Sequence, residues 1–119
     1  MGKSPYESSI RASAWTLRKI FNEGRFVERA QAGDLRIEFD RSVACQNQEI
    51  TGWVPGTLNQ MLSYFDKNNL RVAKTHRFLR PDGALAASGM EDPKRVVKDG
   101  VMYIYDPALD PKEVSLEEE

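Results

Sequence analysis

The amino-acid sequence predicts an α+β fold: a small antiparallel sheet of hairpins with two to three helices packed on one face. Three features of the chain point there. Apolar residues recur at helical spacing over residues 10–21 and again over 58–65. They alternate with charged residues at strand spacing over 35–40. The second half strings strand-like stretches together through turn signals, which favours hairpins over a doubly wound parallel sheet.

In order, Ser8 or Ser9 is placed to cap a first helix running to about Glu23, with Gly24 as its stop. Ile10, Ala14, Leu17 and Phe21 form its apolar stripe, flanked by Trp15 and Ile20, while Arg11, Arg18 and Lys19 take the polar side. Phe26, Val27 and Ala30 mark a second, short helix closed by Gly33, and the helical hairpin is expected to bury Trp15, Phe21 and Phe26 together. Leu35, Ile37 and Phe39 alternate with Arg36, Glu38 and Asp40 as a half-buried strand. Ile50, Trp53 and Val54 suggest a short strand among the loop residues Asn47, Gly52, Pro55 and Gly56. Thr57 and Gln60 read as a capping box opening a third helix, with Leu58, Met61, Leu62 and Phe65 at i, i+3, i+4 and i+7; Asn68 and Asn69 end it. Residues 70–80 read as a long strand, turned by Pro81-Asp82-Gly83 into a partner over 84–87. Asp92-Pro93 breaks the chain, and Asp99-Gly100 joins a strand around Val96 and Val97 to a last strand, Val101–Tyr105.

The 119 residues are enough for one domain with its own core, expected over 8–106 between a flexible 1–7 and an acidic tail at 107–119 predicted to be disordered. A net charge of −1 conceals an uneven distribution. From Asp106 onward there are six acids and one base, so the preceding residues carry +4; between Lys67 and Lys98 eight bases face three acids. Cys45 and His76 are the only cysteine and histidine, so no internal disulfide and no Cys/His zinc site is expected. An unpaired thiol fits a reducing, cytoplasmic setting. The N-terminus has no apolar segment of the secretory kind and no apolar run has membrane-spanning length, so no membrane association is expected.

No Walker loop, dinucleotide-binding glycine motif, H-E-x-x-H or G-x-S-x-G is present, and no motif implies a cofactor. The most suggestive stretch is 76–95, where the single histidine lies among four bases. Strand alternation places Lys74, His76, Phe78 and Arg80 on one face and Arg71, Thr75 and Arg77 on the other. His76 beside cations is the one candidate for general acid–base work at a phosphodiester, against the simpler role of a packed strand residue. Lys74, Arg77, Arg80, Lys94 and Arg95 are the candidates for nucleic-acid or anion binding, with Asp92-Pro93 read as a helix start that brings Lys94 and Arg95 to an anion-attracting N-terminus beside the small-residue loop 84–89. Trp53, between glycines, is the candidate partner-binding anchor. Cys45 reads as a small packed residue rather than a nucleophile, and Tyr103 and Tyr105 as core with polar tips. Three functions follow in order: a small intracellular binding module acting through a protein partner, without a catalytic constellation; a nucleic-acid-binding accessory protein using 71–95; and a metal-independent phosphodiester-cleaving enzyme centred on His76.

Overall fold

In the computed structural model, which describes residues 6–44, 55–85 and 91–110, six strands form one sheet and two helices lie over one of its faces. The chain runs β1 (Ser8–Ala12), α1 (Ala14–Glu23), α2 (Phe26–Gln31), β2 (Arg36–Ala44), β3 (Leu58–Phe65), β4 (Arg71–Leu79), β5 (Asp92–Lys98) and β6 (Val101–Tyr105), then a 3-10 turn, Pro107–Leu109. The strand order is β1-β6-β5-β4-β3-β2. Strands β2 to β6 form an antiparallel meander, but β1 pairs parallel to β6. The α+β class holds, whereas the sheet is mixed rather than antiparallel, and the described helices number two.

Three local expectations are overturned. Residues 8–12 are strand, not helix, in register with β6 from Ser8 opposite Val101 to Ala12 opposite Tyr105. The helix starts later because Ser13 is its cap: its backbone is extended (φ −72°, ψ 163°) and its side chain accepts from the Thr16 N–H. Ile10 thus leaves the helical stripe and is exposed, and Trp15, 65% exposed, does not join Phe21 and Phe26.

Residues 57–65 give the clearest helical periodicity, yet they form β3. Leu58 and Leu62 share one face of a strand and Met61 and Phe65 the other, so the same four apolar positions serve a two-sided central strand. Pairing with β2 on one side and β4 on the other satisfies the backbone of this segment, and it buries Gln60, Leu62 and Tyr64. Burial between two strands outweighs local propensity here.

Asp92-Pro93 neither breaks the chain nor starts a helix. It opens β5, with buried Pro93 opposite Thr75 at an irregularity in the ladder, where a missing N–H is tolerated. Of the strand expected over 84–87, Leu85 bridges Leu79, and residues 86 and 87 lie outside the described residues, as does most of the small-residue loop 84–89. Cys45, the 50–54 strand, Trp53 and the tail from 111 lie outside the described residues. At the domain boundaries, Glu7 donates its backbone N–H to Gly100, and Asp110 accepts from the Ala14 N–H and the Tyr105 hydroxyl. Both residues are therefore tied to the body.

Elsewhere local chemistry and structure agree. Asp99 and Gly100 both have positive φ (51° and 79°), the two-residue turn that matches strand twist. Gly24 lets the helical hairpin close: a Cβ there would meet the Phe26 ring at 2.6 Å. The core joins Leu17, Ile20 and Phe21 of α1, Phe26 of α2 and Leu35 to Leu62, Tyr64, Ala73 and Val96 of the sheet. Phe21 and Phe26 stack with centroids 5.2 Å apart, and both meet Tyr64 edge-on. No helix among the described residues is long and apolar enough to cross a membrane.

Leu62 has no exposed surface, so Leu62→Ala should cost roughly 2–5 kcal/mol in urea unfolding. A loss below about 0.5 kcal/mol would show that this strand does not carry the core.

Candidate functional site

Alternation along β4 distributes the suggestive residues between two different environments. Thr75 and Arg77 point to the helix-covered face, in register with Leu62 and Gln60 of β3. Lys74 and His76 point to the helix-free face, opposite Ser63 and Met61. His76 and Arg77 therefore do not converge on a common point.

On the covered face a polar network extends beyond the helices. Glu91, just before β5, presents a carboxylate whose side chain is only 7% exposed. Tyr64 Oη and Thr75 Oγ1 donate to its Oε1 at 2.6 and 2.7 Å, and Arg77 Nη1 lies 3.7 Å from Oε2. Arg77 Nε donates to Gln60 Oε1 at 2.8 Å, and Gln60 Nε2 to Ser42 Oγ at 3.0 Å. The Phe39 ring lies 5.5 Å from the guanidinium. Burial, and the carboxylate it donates to, push the Tyr64 phenol well above its ordinary pKa, so it stays a donor. The network fastens β2, β3 and β4 to the start of β5.

On the helix-free face, Lys74 stands directly opposite Arg95; Arg95 is opposite Ile104, which is opposite Arg11. One cross-strand row thus carries three cations over four strands. Arg11 lies 3.6 Å from Asp106, but among the described residues no carboxylate pairs with Lys74 or Arg95. Next to this row His76 Nε2 donates to Asn59 Oδ1, and its ring meets Phe78 edge-on at 4.7 Å. Burial, and then the Lys94 cation, hold the imidazole below its ordinary pKa, against the opposing pull of Asp92.

Of the five candidate cations, the structure thus brings Lys74 and Arg95 together. Arg77 is committed to Glu91 and Gln60. Lys94 binds Asp92 at 2.9 Å, and its ammonium lies over the Tyr105 ring; Asp92 also meets Arg18 of α1. Arg80 begins the turn after β4, about 20 Å from Lys74 at strand rise, and its buried Nε has no acceptor among the described residues. Arg11, Glu91 and Asn59 join these sites without any signal in their own stretches of sequence. The spacing around Arg11 is that of a helix face, and only the parallel β1–β6 pairing moves it beside Ile104. Trp53 lies outside the described residues.

A third feature is the sheet edge. Every residue of β2 except Ile37 is exposed, and among the described residues no strand pairs with its outer side. Phe39 and Val43 are 54% and 40% exposed. Among the described residues no group of three His, Cys, Asp or Glu side chains is placed to hold a metal. No family model matches the chain, and neither a curated protein nor a solved structure shows significant similarity to it.

Glu91→Ala would leave the Tyr64 and Thr75 hydroxyls without their acceptor and the Arg77 guanidinium without its counter-charge, so unfolding free energy should fall by about 3–5 kcal/mol. A fall under about 1 kcal/mol would show that the network is not formed in solution. His76 supplies a pH test. Its folded pKa lies below the unfolded value, so the unfolded chain binds the proton more readily. Stability should be complete above about pH 6.5 and decline as pH falls through that value, a decline absent from His76→Gln in parallel melts.

Proposed function

We propose that this protein is a non-catalytic binding module that takes an extended segment of a partner protein along the outer edge of β2. The observation that supports this reading is that edge: nine residues long, exposed almost throughout, with Phe39 and Val43 presented beside it. An unpaired strand edge offers a row of N–H and C=O groups to an incoming strand, while neighbouring side chains select its sequence. The first half of β2 carries the blunting devices usual at edges, namely Arg36, Glu38, Asp40 and Arg41 with a register shift between Phe39 and Arg41. Ser42, Val43 and Ala44 carry no charge, and this half is where a partner strand would add. The opposite edge, β1, is shorter and pairs parallel, which makes it the weaker template.

The test is site-specific photo-cross-linking in cell extract, with a photoreactive phenylalanine at position 43 or at exposed Lys19 on α1. The expected result is one discrete adduct from position 43, absent from position 19 and lost on Phe39→Asp. Mass spectrometry should place the cross-link in a single segment of the partner with strand-like alternation. Equal adducts from both positions, or none from position 43, would count against the reading.

A further inference from the structure

The β2 edge leaves the cationic row on the helix-free face without a role. We infer that Lys74, Arg95 and Arg11 form a binding site for the phosphate backbone of single-stranded nucleic acid, with the neighbouring His76 ring as a stacking surface for a base.

Four observations lead there. The first is register: Lys74 and Arg95 are directly opposed on adjacent strands, and Arg11 is two strands further along the same row. At a strand spacing of about 4.8 Å the three cations span roughly 15 Å, a length over which an extended backbone meets each in turn. The second is an unrelieved cost. Like charges directly opposite each other destabilise a sheet, and among the described residues no acid is paired with Lys74 or Arg95. Arg77 and Lys94 are paired with Glu91 and Asp92, while Arg71 and Arg80, like Lys74 and Arg95, have no carboxylate partner among the described residues, but only Lys74 and Arg95 are set directly opposite each other. Two cations opposed on adjacent strands, with no carboxylate paired to either among the described residues, fit an anion supplied from outside.

The third observation is shape. Arg11 and Arg95 flank Ile104 in a shallow depression of about 440 Å³ that Ser9 and Ile10 complete, so two guanidinium groups border an apolar floor. The fourth is the ring beside the row. His76 is half-buried, a planar ring held by Asn59 on one nitrogen and by a perpendicular contact with Phe78, with its pKa below the ordinary value. Acidic peptides gain nothing from such a ring, and a duplex keeps its bases stacked on each other. An unpaired strand can use both cations and ring. The net charge of −1 does not oppose this, because the relevant field is that of the face and the attraction is local.

The test is fluorescence anisotropy of the full chain with labelled oligothymidylate and oligouridylate at low salt, followed by salt titration. Binding should be detectable at low salt and weaken steeply as salt rises. Lys74→Gln with Arg95→Gln should lower affinity by about tenfold or more and reduce the salt exponent by about two, one for each lost phosphate contact. His76→Ala should weaken binding by about fivefold or more with the exponent unchanged, the signature of lost stacking rather than lost charge. In urea melts without nucleic acid, the Lys74→Gln, Arg95→Gln protein should be at least as stable as wild type, because a repulsive pair has been removed. The inference is overturned by absence of binding at low salt, or by an equal loss from Lys19→Gln with Arg29→Gln on the helical side. Tighter binding of a duplex, or of oligoglutamate, would overturn it in favour of those ligands. These variants lie outside β2, so either result stands whatever the cross-linking at position 43 shows.

Discussion

Tyr64 places two demands on the rest of the molecule at once. Its ring, with no exposed surface, is the floor on which Phe21 of α1 and Phe26 of α2 rest, so the helical hairpin is positioned by an edge-on contact with a single strand residue. Its hydroxyl, buried by that packing, must find an acceptor, and Glu91 supplies it. A buried carboxylate in turn needs donors and a counter-charge, and from the strand next to Tyr64 Thr75 gives a second hydroxyl and Arg77 the cation. The order β5-β4-β3-β2 and the angle of the helices over it are thus coupled through one side chain that is apolar at its ring and polar at its tip. Gly24 belongs to the same constraint, since a side chain there would push Phe26 off the stack.

The covered face closes its hydrogen bonds and charges on itself, from Ser42 through Gln60 and Arg77 to Glu91. Such a set holds strands in register and is fully occupied in doing so. The helix-free face differs in kind. It has Ser63 donating to Asp40, and His76 to Asn59, but its central cations are opposed to each other instead of to acids. Consecutive residues of one strand, His76 and Arg77, therefore belong to different problems. The proximity in sequence that makes them resemble a catalytic pair is what separates them, because successive strand side chains point to opposite faces. Peripheral ties follow the same logic as the core. Asp110 joins the start of α1 to Tyr105 of β6, and the hydroxyl it accepts from holds that carboxyl below its ordinary pKa.

The separation of Lys74 and His76 from Thr75 and Arg77 is legible in the amino-acid sequence, since it needs only the strand period. The expected place of Arg71 beside Thr75 and Arg77 is not kept: the shift between Tyr64 and Phe65 sets Arg71 opposite Phe65, on the side of Lys74. That Lys74 meets Arg95 is not legible, because the ladder between β4 and β5 shifts at Lys74/Thr75 and no local signal announces the shift. That Arg11 joins them is less accessible still: a parallel pairing between the first and last strands leaves no trace in the spacing of residues 8–12. Glu91 is, along the chain, one acid in a basic stretch, and only its burial against Tyr64 gives it a role.

The sequence by itself determined those parts of the fold whose cause lies within a few residues. These are the Asp99-Gly100 turn with its positive φ angles, the turn at Gly83, the short second helix, the strand around Ile37 and the long strand β4. In each the backbone preference and the hydrophobic period agree. Only the tertiary structure decided residues 8–12 and 57–65, where the period is ambiguous. Leu58, Met61, Leu62 and Phe65 line one side of a helix, yet they serve equally as two apolar residues on each face of a strand. Which arrangement forms depends on whether β2 and β4 are there to take up the backbone hydrogen bonds and whether Tyr64, between those positions, has a core to enter. Partners distant in sequence supply both conditions, and no window along the chain contains them.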